Sequence, residues 1–198
     1  MAQAAAALAA VIREVLRARD AVPGRVLLLV GSGNNGGDAL FAGASLAREG
    51  CEVSIVEVGT RTHLQSREAA LGAGATVVTD AAAAAASADV IVDGILGTGA
   101  AASPALRGRA REIVQAVMRA RDAATVVAVD IPSGIGPDDG SVPDAVVLRA
   151  DITVTFGGYK AGLLQGEAVG FAGDVRLVDI GITDELTRMQ PVIITGSS

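Results

Sequence analysis

Four short segments combine glycines with polar or ionisable side chains in a way that could do chemistry. They are Gly31-Ser32-Gly33-Asn34-Asn35-Gly36-Gly37-Asp38, Asp93-Gly94-Ile95-Leu96-Gly97-Thr98-Gly99, Asp130-Ile131-Pro132-Ser133-Gly134 and Phe156-Gly157-Gly158-Tyr159-Lys160. In the first, Gly31, Gly33 and Gly36 satisfy G-x-G-x-x-G, and Glu57 follows at about the distance at which a dinucleotide site places its ribose acid. Backbone N–H groups at the start of the following helix can take a phosphate. Asn34, Asn35 and Asp38 are more than a pyrophosphate turn needs; their oxygens are hard ligands suited to a small cation or to ribose and amide groups. A lone glycine-rich turn is more often only a tight turn, and a lone strand-end Asp more often a cap. Four such segments on one rim point to a binding site.

The elements that would bring them together are legible. Arg25–Val30 is a short, continuous apolar run of the kind buried on both faces of a parallel sheet. Residues 38–48 read as a helix and Glu52–Val58 as the second strand. A helix around 63–72 leads to Thr76–Val78. The alanine tract within 80–88, the one low-complexity stretch, reads as a helix leading to Val90–Val92. A helix carrying Leu106, Ala110, Ile113, Val114 and Val117 leads to Thr125–Val129, with further strands at 151–155 and 174–178. Strands alternating with helices predict a three-layer α/β/α, Rossmann-like, doubly wound and mainly parallel sheet. In such sheets ligands bind outside the carboxyl ends of the strands, where all four segments fall. Ahead of the sheet, Leu8, Val11, Ile12, Val15 and Leu16 make one face of an amphipathic helix with Arg13, Glu14 and Arg17 on the other, and no basic region precedes them as in a signal peptide. One domain is expected over residues 1–189. Residues 190–198 lose periodicity and read as a linker or cut end.

Composition removes several alternatives. With 198 residues, 51 % of them hydrophobic, the chain can build a core, which excludes a disordered tail or a small disulfide scaffold. Aromatics are 2 %, too few for a base-stacking surface, and a net charge of −6 is the wrong sign for general nucleic-acid affinity. A single Cys51 and a single His63 exclude a cysteine cluster and histidine-rich metal or triad sites, and fit a cytoplasmic setting. No apolar run approaches the roughly 18 residues that cross a bilayer, so no membrane partner is expected. Cys51, His63 and Tyr159 read as a small residue at a strand start, a surface histidine and a rim aromatic.

The four segments in this order resemble the NAD(P)H-hydrate epimerase family. The likeness rests on Asn34-Asn35-Gly36-Gly37-Asp38, the Asp93 segment ending in Gly97-Thr98-Gly99, Asp130-Ile131-Pro132-Ser133-Gly134, and Thr155-Phe156-Gly157 leading to Lys160 and Gly162, and it runs from about residue 1 to residue 182. It implies a Rossmann-like fold and interconversion of the R and S forms of NADHX and NADPHX, cofactors whose nicotinamide ring has taken up water at C6. It implies that Asn34, Asn35, Gly36, Gly37 and Asp38 with Gly97, Thr98, Gly99, Ala100, Ala101, Ala102 and Ser103 form the substrate loops. Asp130 is then the substrate-contacting acid and Asn35, Asp93 and Ser133 hold a potassium ion. A homodimer and an S-specific dehydratase partner, in some members fused, are implied too. Relatives usually carry a further helical segment ahead of the first one here, covering the site or the dimer contact, and Ala100–Ser103 is plainer than usual. Epimerising a carbinolamine carbon needs a general acid/base beside it, a role expected of Asp130, with Lys160 a phosphate or hydroxyl contact. Two other readings stay open: an NAD(P)-dependent oxidoreductase using Glu57 on a ribose, which lacks a convincing hydride-transfer acid/base pair, and a non-catalytic nucleotide-binding scaffold.

Overall fold

In the computed structural model, which describes residues 2–59 and 62–181, the apolar runs become one seven-stranded sheet. Its strands are β1 (Arg25–Val30), β2 (Glu52–Glu57), β3 (Thr76–Val77), β4 (Val90–Gly94), β5 (Thr125–Val129), β6 (Ile152–Phe156) and β7 (Asp174–Val178). They lie in the order β3-β2-β1-β4-β5-β6-β7, and every neighbouring pair is parallel. The helices are α1 (Ala2–Ala18), α2 (Asn34–Arg48), α3 (Leu64–Gly72), α4 (Ala81–Ser87), α5 (Gly108–Ala120) and the short α6 (Val169–Ala172).

Alternation along the strands divides the core. Val26, Leu28 and Val30 of β1 pack with Leu8, Ile12 and Leu16 of α1 and Leu40 of α2, whereas Leu27 and Leu29 pack with Ala85 of α4 and Val114 and Val117 of α5. Both faces of the sheet are covered, which is why its central strands carry no polar face. The chain winds outward from β1 to β3 and then returns to β4 beside β1, so the switch point lies at the carboxyl ends of β1 and β4.

Several boundaries differ from the sequence expectation, and three bear on the site. Helix α2 starts at Asn34 rather than 38, so the Asn-Asn-Gly-Gly-Asp motif is helical; extended Gly33 is its N-cap, and a side chain on Gly36 would collide with the Gly31 carbonyl. Strand β4 continues to Gly94, which puts Asp93 inside the sheet at 0 % exposure. Strand β6 is shifted by one residue, to 152–156, so Phe156 belongs to the strand and not to its loop. The sheet is wholly parallel, and the alternation of strand and helix fails between β5 and β6. There residues 131–151 cross over without a helix, and Val146, Leu148 and Ala150 cover the sheet in its place. An Arg111–Asp144 ion pair (3.0 Å) and a hydrogen bond from the Val126 N–H to Asp151 (2.7 Å) hold the crossover. The end of the expected domain and the 190–198 linker lie outside the described residues.

Candidate active site

A cleft of about 540 Å³ opens at the switch point, a size ordinary for a small-molecule site. Its lining comes from the β1–α2 turn (Gly31 to Asn35), the end of β2 (Val58, Gly59), the segment after β4 (Ile95 to Ala100) and Ala110 of α5. The three fingerprint glycines have separate jobs. A side chain on Gly31 would strike the Ile95 carbonyl and one on Gly36 the Gly31 carbonyl, while nothing lies within 4 Å of the Cβ position at Gly33. Gly31 and Gly36 close the turn, and Gly33 leaves open backbone facing the cleft, where a pyrophosphate can approach the start of α2.

Asn35 ties this turn to the rest of the rim. Its side-chain amide donates to the carbonyls of Leu96 (3.0 Å) and Val129 (2.7 Å), linking α2 to the segments after β4 and β5. Gly97 has no side chain because the Asn35 amide fills that space. The Val129 carbonyl also accepts from the Ile131 N–H (2.8 Å), closing a γ-turn around Asp130, whose φ of +69° lies in the left-handed region. A non-glycine residue held there stores backbone strain, a feature that clusters at functional sites.

Asp130 is buried and its Oδ1 accepts from the Thr155 hydroxyl (3.2 Å), the Phe156 N–H (3.2 Å) and the Lys160 ammonium. Lys160 also donates to Thr155 Oγ1 (3.1 Å) and the Phe156 carbonyl (2.9 Å). Its three donors therefore go to protein acceptors. Asp38, on the second turn of α2, is 6 % exposed, and its Oδ1 is buried without a hydrogen-bond partner. Burial pushes its carboxyl up to about 6; the Asp130 charge adds to the rise, while His63 opposes it.

Asn35, Asp93 and Ser133 converge as well. Asp93 accepts from the Ser133 N–H (2.8 Å) and hydroxyl (2.6 Å), and the Ser133 hydroxyl accepts from the Leu96 N–H (2.8 Å). Burial raises the Asp93 carboxyl above the usual range, partly offset by these bonds from Ser133. A single buried negative charge with neutral partners, surrounded by Ser133 Oγ, the Asn35 amide and the Leu96 and Val129 carbonyls, is a hard-oxygen donor set that fits a large monovalent cation. Among the described residues no group of three His, Cys, Asp or Glu side chains is placed to hold a metal.

Of the remaining candidates, Asn34 and Gly97 to Ala100 line the cleft, Gly36 and Gly37 are buried in α2, and Ala101, Ala102 and Ser103 are exposed outside the lining. Tyr159 is 51 % exposed on the rim. His63 is not a free surface residue: its Nδ1 accepts the Ser66 N–H at the start of α3 (3.4 Å), and its ring stands edge-on to Phe41. Glu57 is already engaged by Arg67 (2.6 Å) and Thr62 (3.2 Å), which weakens the oxidoreductase reading. Sequence reasoning missed Thr155 as a partner of Asp130, although a buried threonine at the end of an apolar strand was a signal. The Leu96 and Val129 carbonyls carry no side-chain signal at all.

A family model described as YjeF-related protein N-terminus matches residues 1–162. The chain is 49 % identical over 180 residues to the NAD(P)H-hydrate epimerase of Clavibacter michiganensis, covering 86 % of this chain and 77 % of that one. It is 40 % identical over 185 residues to the bifunctional NAD(P)H-hydrate repair enzyme Nnr of Mycobacterium tuberculosis, covering 92 % of this chain but only 37 % of that protein. The crystal structure of yeast ynu0 shares the fold, with a TM-score of 0.70 at 20 % identity over 81 % of this chain and 70 % of that one.

Proposed function

Because this chain belongs to the family of YjeF-related protein N-termini, we propose that its cleft and the strained Asp130 beside it perform the reaction for which its relatives are named. The protein is an NAD(P)H-hydrate epimerase, an isomerase that interconverts the R and S forms of NADHX and NADPHX at nicotinamide C6. The observation that carries the reading is Asp130, held by a γ-turn and an ion pair to Lys160 at the end of β5, one residue beyond the Val129 carbonyl that Asn35 of the cleft lining binds.

The chain's residues divide the work by position. The open backbone at Gly33 and the first N–H groups of α2 receive the pyrophosphate, with Asn34 and the Gly97–Ala100 segment along the cleft wall. The nicotinamide half then lies towards the ends of β5 and β6. There the ring nitrogen expels the C6 hydroxyl to give a cationic iminium, and water returns on the other face. The Asp130 carboxylate stabilises that cation and takes the proton of the returning water. Asn35, Asp93 and Ser133 would hold potassium, with the Leu96 and Val129 carbonyls in reach of the same site. The ion supplies positive charge to a buried carboxylate and pins three segments together; a large monovalent cation is a weak Lewis acid.

The product is the form an S-specific dehydratase consumes, and the fused arrangement of the Mycobacterium tuberculosis relative supports that partnership. A cytoplasmic setting is supported by one unpaired Cys51. A homodimer is supported by the resemblance and by exposed large apolar side chains such as Leu64 and Leu177, and sedimentation velocity tests it. Replacing Asp130 by Asn should lower kcat/KM for R-NADPHX at least about a hundredfold, the low end of what general acid–base catalysis contributes. An Asp130→Asn enzyme with the wild-type rate removes the assignment.

A further inference from the structure

The ion pair at Asp130 leaves one step without a donor. Expelling the C6 hydroxyl breaks a C–O bond whose electron pair leaves with oxygen, and that oxygen needs a proton to depart as water. Asp130 Oδ1 already accepts from an ammonium group and two further donors, which leaves that oxygen no site for a proton to give. Lys160 has spent its three N–H groups on Asp130, Thr155 and Phe156. Asp38 senses the charge of Asp130 and has a buried oxygen that no donor among the described residues satisfies. An unpaired buried carboxyl is costly to keep and is expected to meet its partner from outside the protein.

We propose that Asp38 is the proton donor of the reaction, a second catalytic carboxyl that protonates the departing C6 hydroxyl while Asp130 receives the proton of the incoming water. This rests on the epimerase reading above. The steps balance: the Asp38 proton goes to the hydroxyl oxygen, the ring-nitrogen lone pair forms the C=N bond, and water leaves. Water then adds to C6 from the opposite face, the C=N pair returns to nitrogen, and Asp130 takes a proton. Solvent carries that proton back to Asp38. One carboxyl oxygen filled by three donors and one buried without a partner divide the accepting and donating tasks between two side chains.

Among the described residues the charged groups that act on the Asp38 carboxyl are Asp130 after β5 and His63 at the start of α3, with the Lys160 ammonium paired to Asp130. Burial raises both the Asp38 and the Asp93 carboxyls, but Asp93 is held by Ser133 whereas Asp38 keeps a buried oxygen without a partner, so the ionisation of Asp38 sets the alkaline limb. The test is the pH profile of kcat/KM for R-NADPHX, coupled to an S-specific dehydratase and corrected for the uncatalysed rate. Wild-type kcat/KM should fall about tenfold per pH unit above roughly 6. In Asp38→Asn the rate should drop at least about a hundredfold with KM changed by no more than about threefold, the alkaline limb should vanish, and Asp38→Glu should restore part of both. Melting curves confirm that the variants are folded. A wild-type profile flat between about pH 5 and 8, or an Asp38→Asn enzyme that keeps the wild-type rate or limb, overturns the proposal while leaving the epimerase reading intact. A wild-type protein that does not epimerise at all overturns both.

Discussion

Asp130 and Asp38 show how the same functional group is set to different tasks by its neighbours. Asp130 has an ammonium, a hydroxyl and a backbone N–H on one oxygen, whereas Asp38 has burial and an unsatisfied oxygen. The Asp38 arrangement has a stability cost with a defined sign. Its folded-state carboxyl titrates near 6 against an ordinary 3.8, so as pH rises between those values the unfolded chain loses the proton first and the native state is penalised. Asp38→Asn should therefore match the wild type near pH 4 and exceed it by about 1–3 kcal/mol above pH 7, read from urea or thermal melts. Equal stability of the two at pH 8 would mean that the buried carboxyl carries no penalty. Lys160 works in the opposite sense. Lys160→Met leaves Asp130 buried and uncompensated and should cost about 3 kcal/mol as well as activity. Asp93 and Asp130 stand out in the sequence as polar side chains that end apolar strands, whereas Ser133 is singled out only by the resemblance to the family. The pairing of Thr155 and Lys160 with Asp130 is not legible there, because it depends on the β5–β6 register and on which way a five-residue turn folds back. The contact of half-exposed His63 with Phe41 is hidden for a similar reason, since the two lie 22 positions apart.

Helix α2 is the element that organises the rim. Its first residues contact the ends of β1, β4 and β5, and one amide, that of Asn35, bridges two of those connections. Glycines and asparagines have poor helix propensity, which hides from the sequence the first four residues of α2, Asn34 to Gly37. Packing overrides that preference: Gly36 is required against the Gly31 carbonyl, and Gly33 supplies the extended N-cap. The two glycines should separate in experiment. Gly36→Ala must push two backbone segments apart and should lower the melting temperature by about 5–10 °C, equivalent to about 2–4 kcal/mol. Gly33→Ala meets nothing in the protein and should melt within about 2 °C of wild type while weakening binding of an intact dinucleotide, measured by calorimetry. If Gly33→Ala binds normally, the pyrophosphate does not approach that backbone.

At the scale of the molecule, the parallel doubly wound architecture followed from short apolar runs separated by helical segments, since few other arrangements bury such strands on both faces. What did not follow was the β5–β6 crossover, where Val146, Leu148 and Ala150 do a helix's work without a helix's period. The switch point places the cleft between the half of the chain that carries the glycine turn and the half that carries Asp130. A cation joining Asn35, Asp93 and Ser133 would therefore staple the two halves. Adding potassium chloride in place of choline chloride at equal ionic strength should raise the melting temperature, the stabilisation growing with the logarithm of the potassium concentration to about 2.7 kcal/mol at a hundred times the dissociation constant, and Asp93→Asn should abolish the effect. No potassium dependence in the wild type would leave Asp93 as a buried hydrogen-bond acceptor only.

The central claim is that this chain epimerises hydrated nicotinamide cofactors at the Asp130 site, and recovery of NADPH from R-NADPHX tests it most directly. Pure R-NADPHX with an S-specific dehydratase and this protein should return all of the hydrate to NADPH, much faster than the dehydratase alone and with the rate lost in Asp130→Asn. A recovery rate no greater than that of the dehydratase alone would contradict the account.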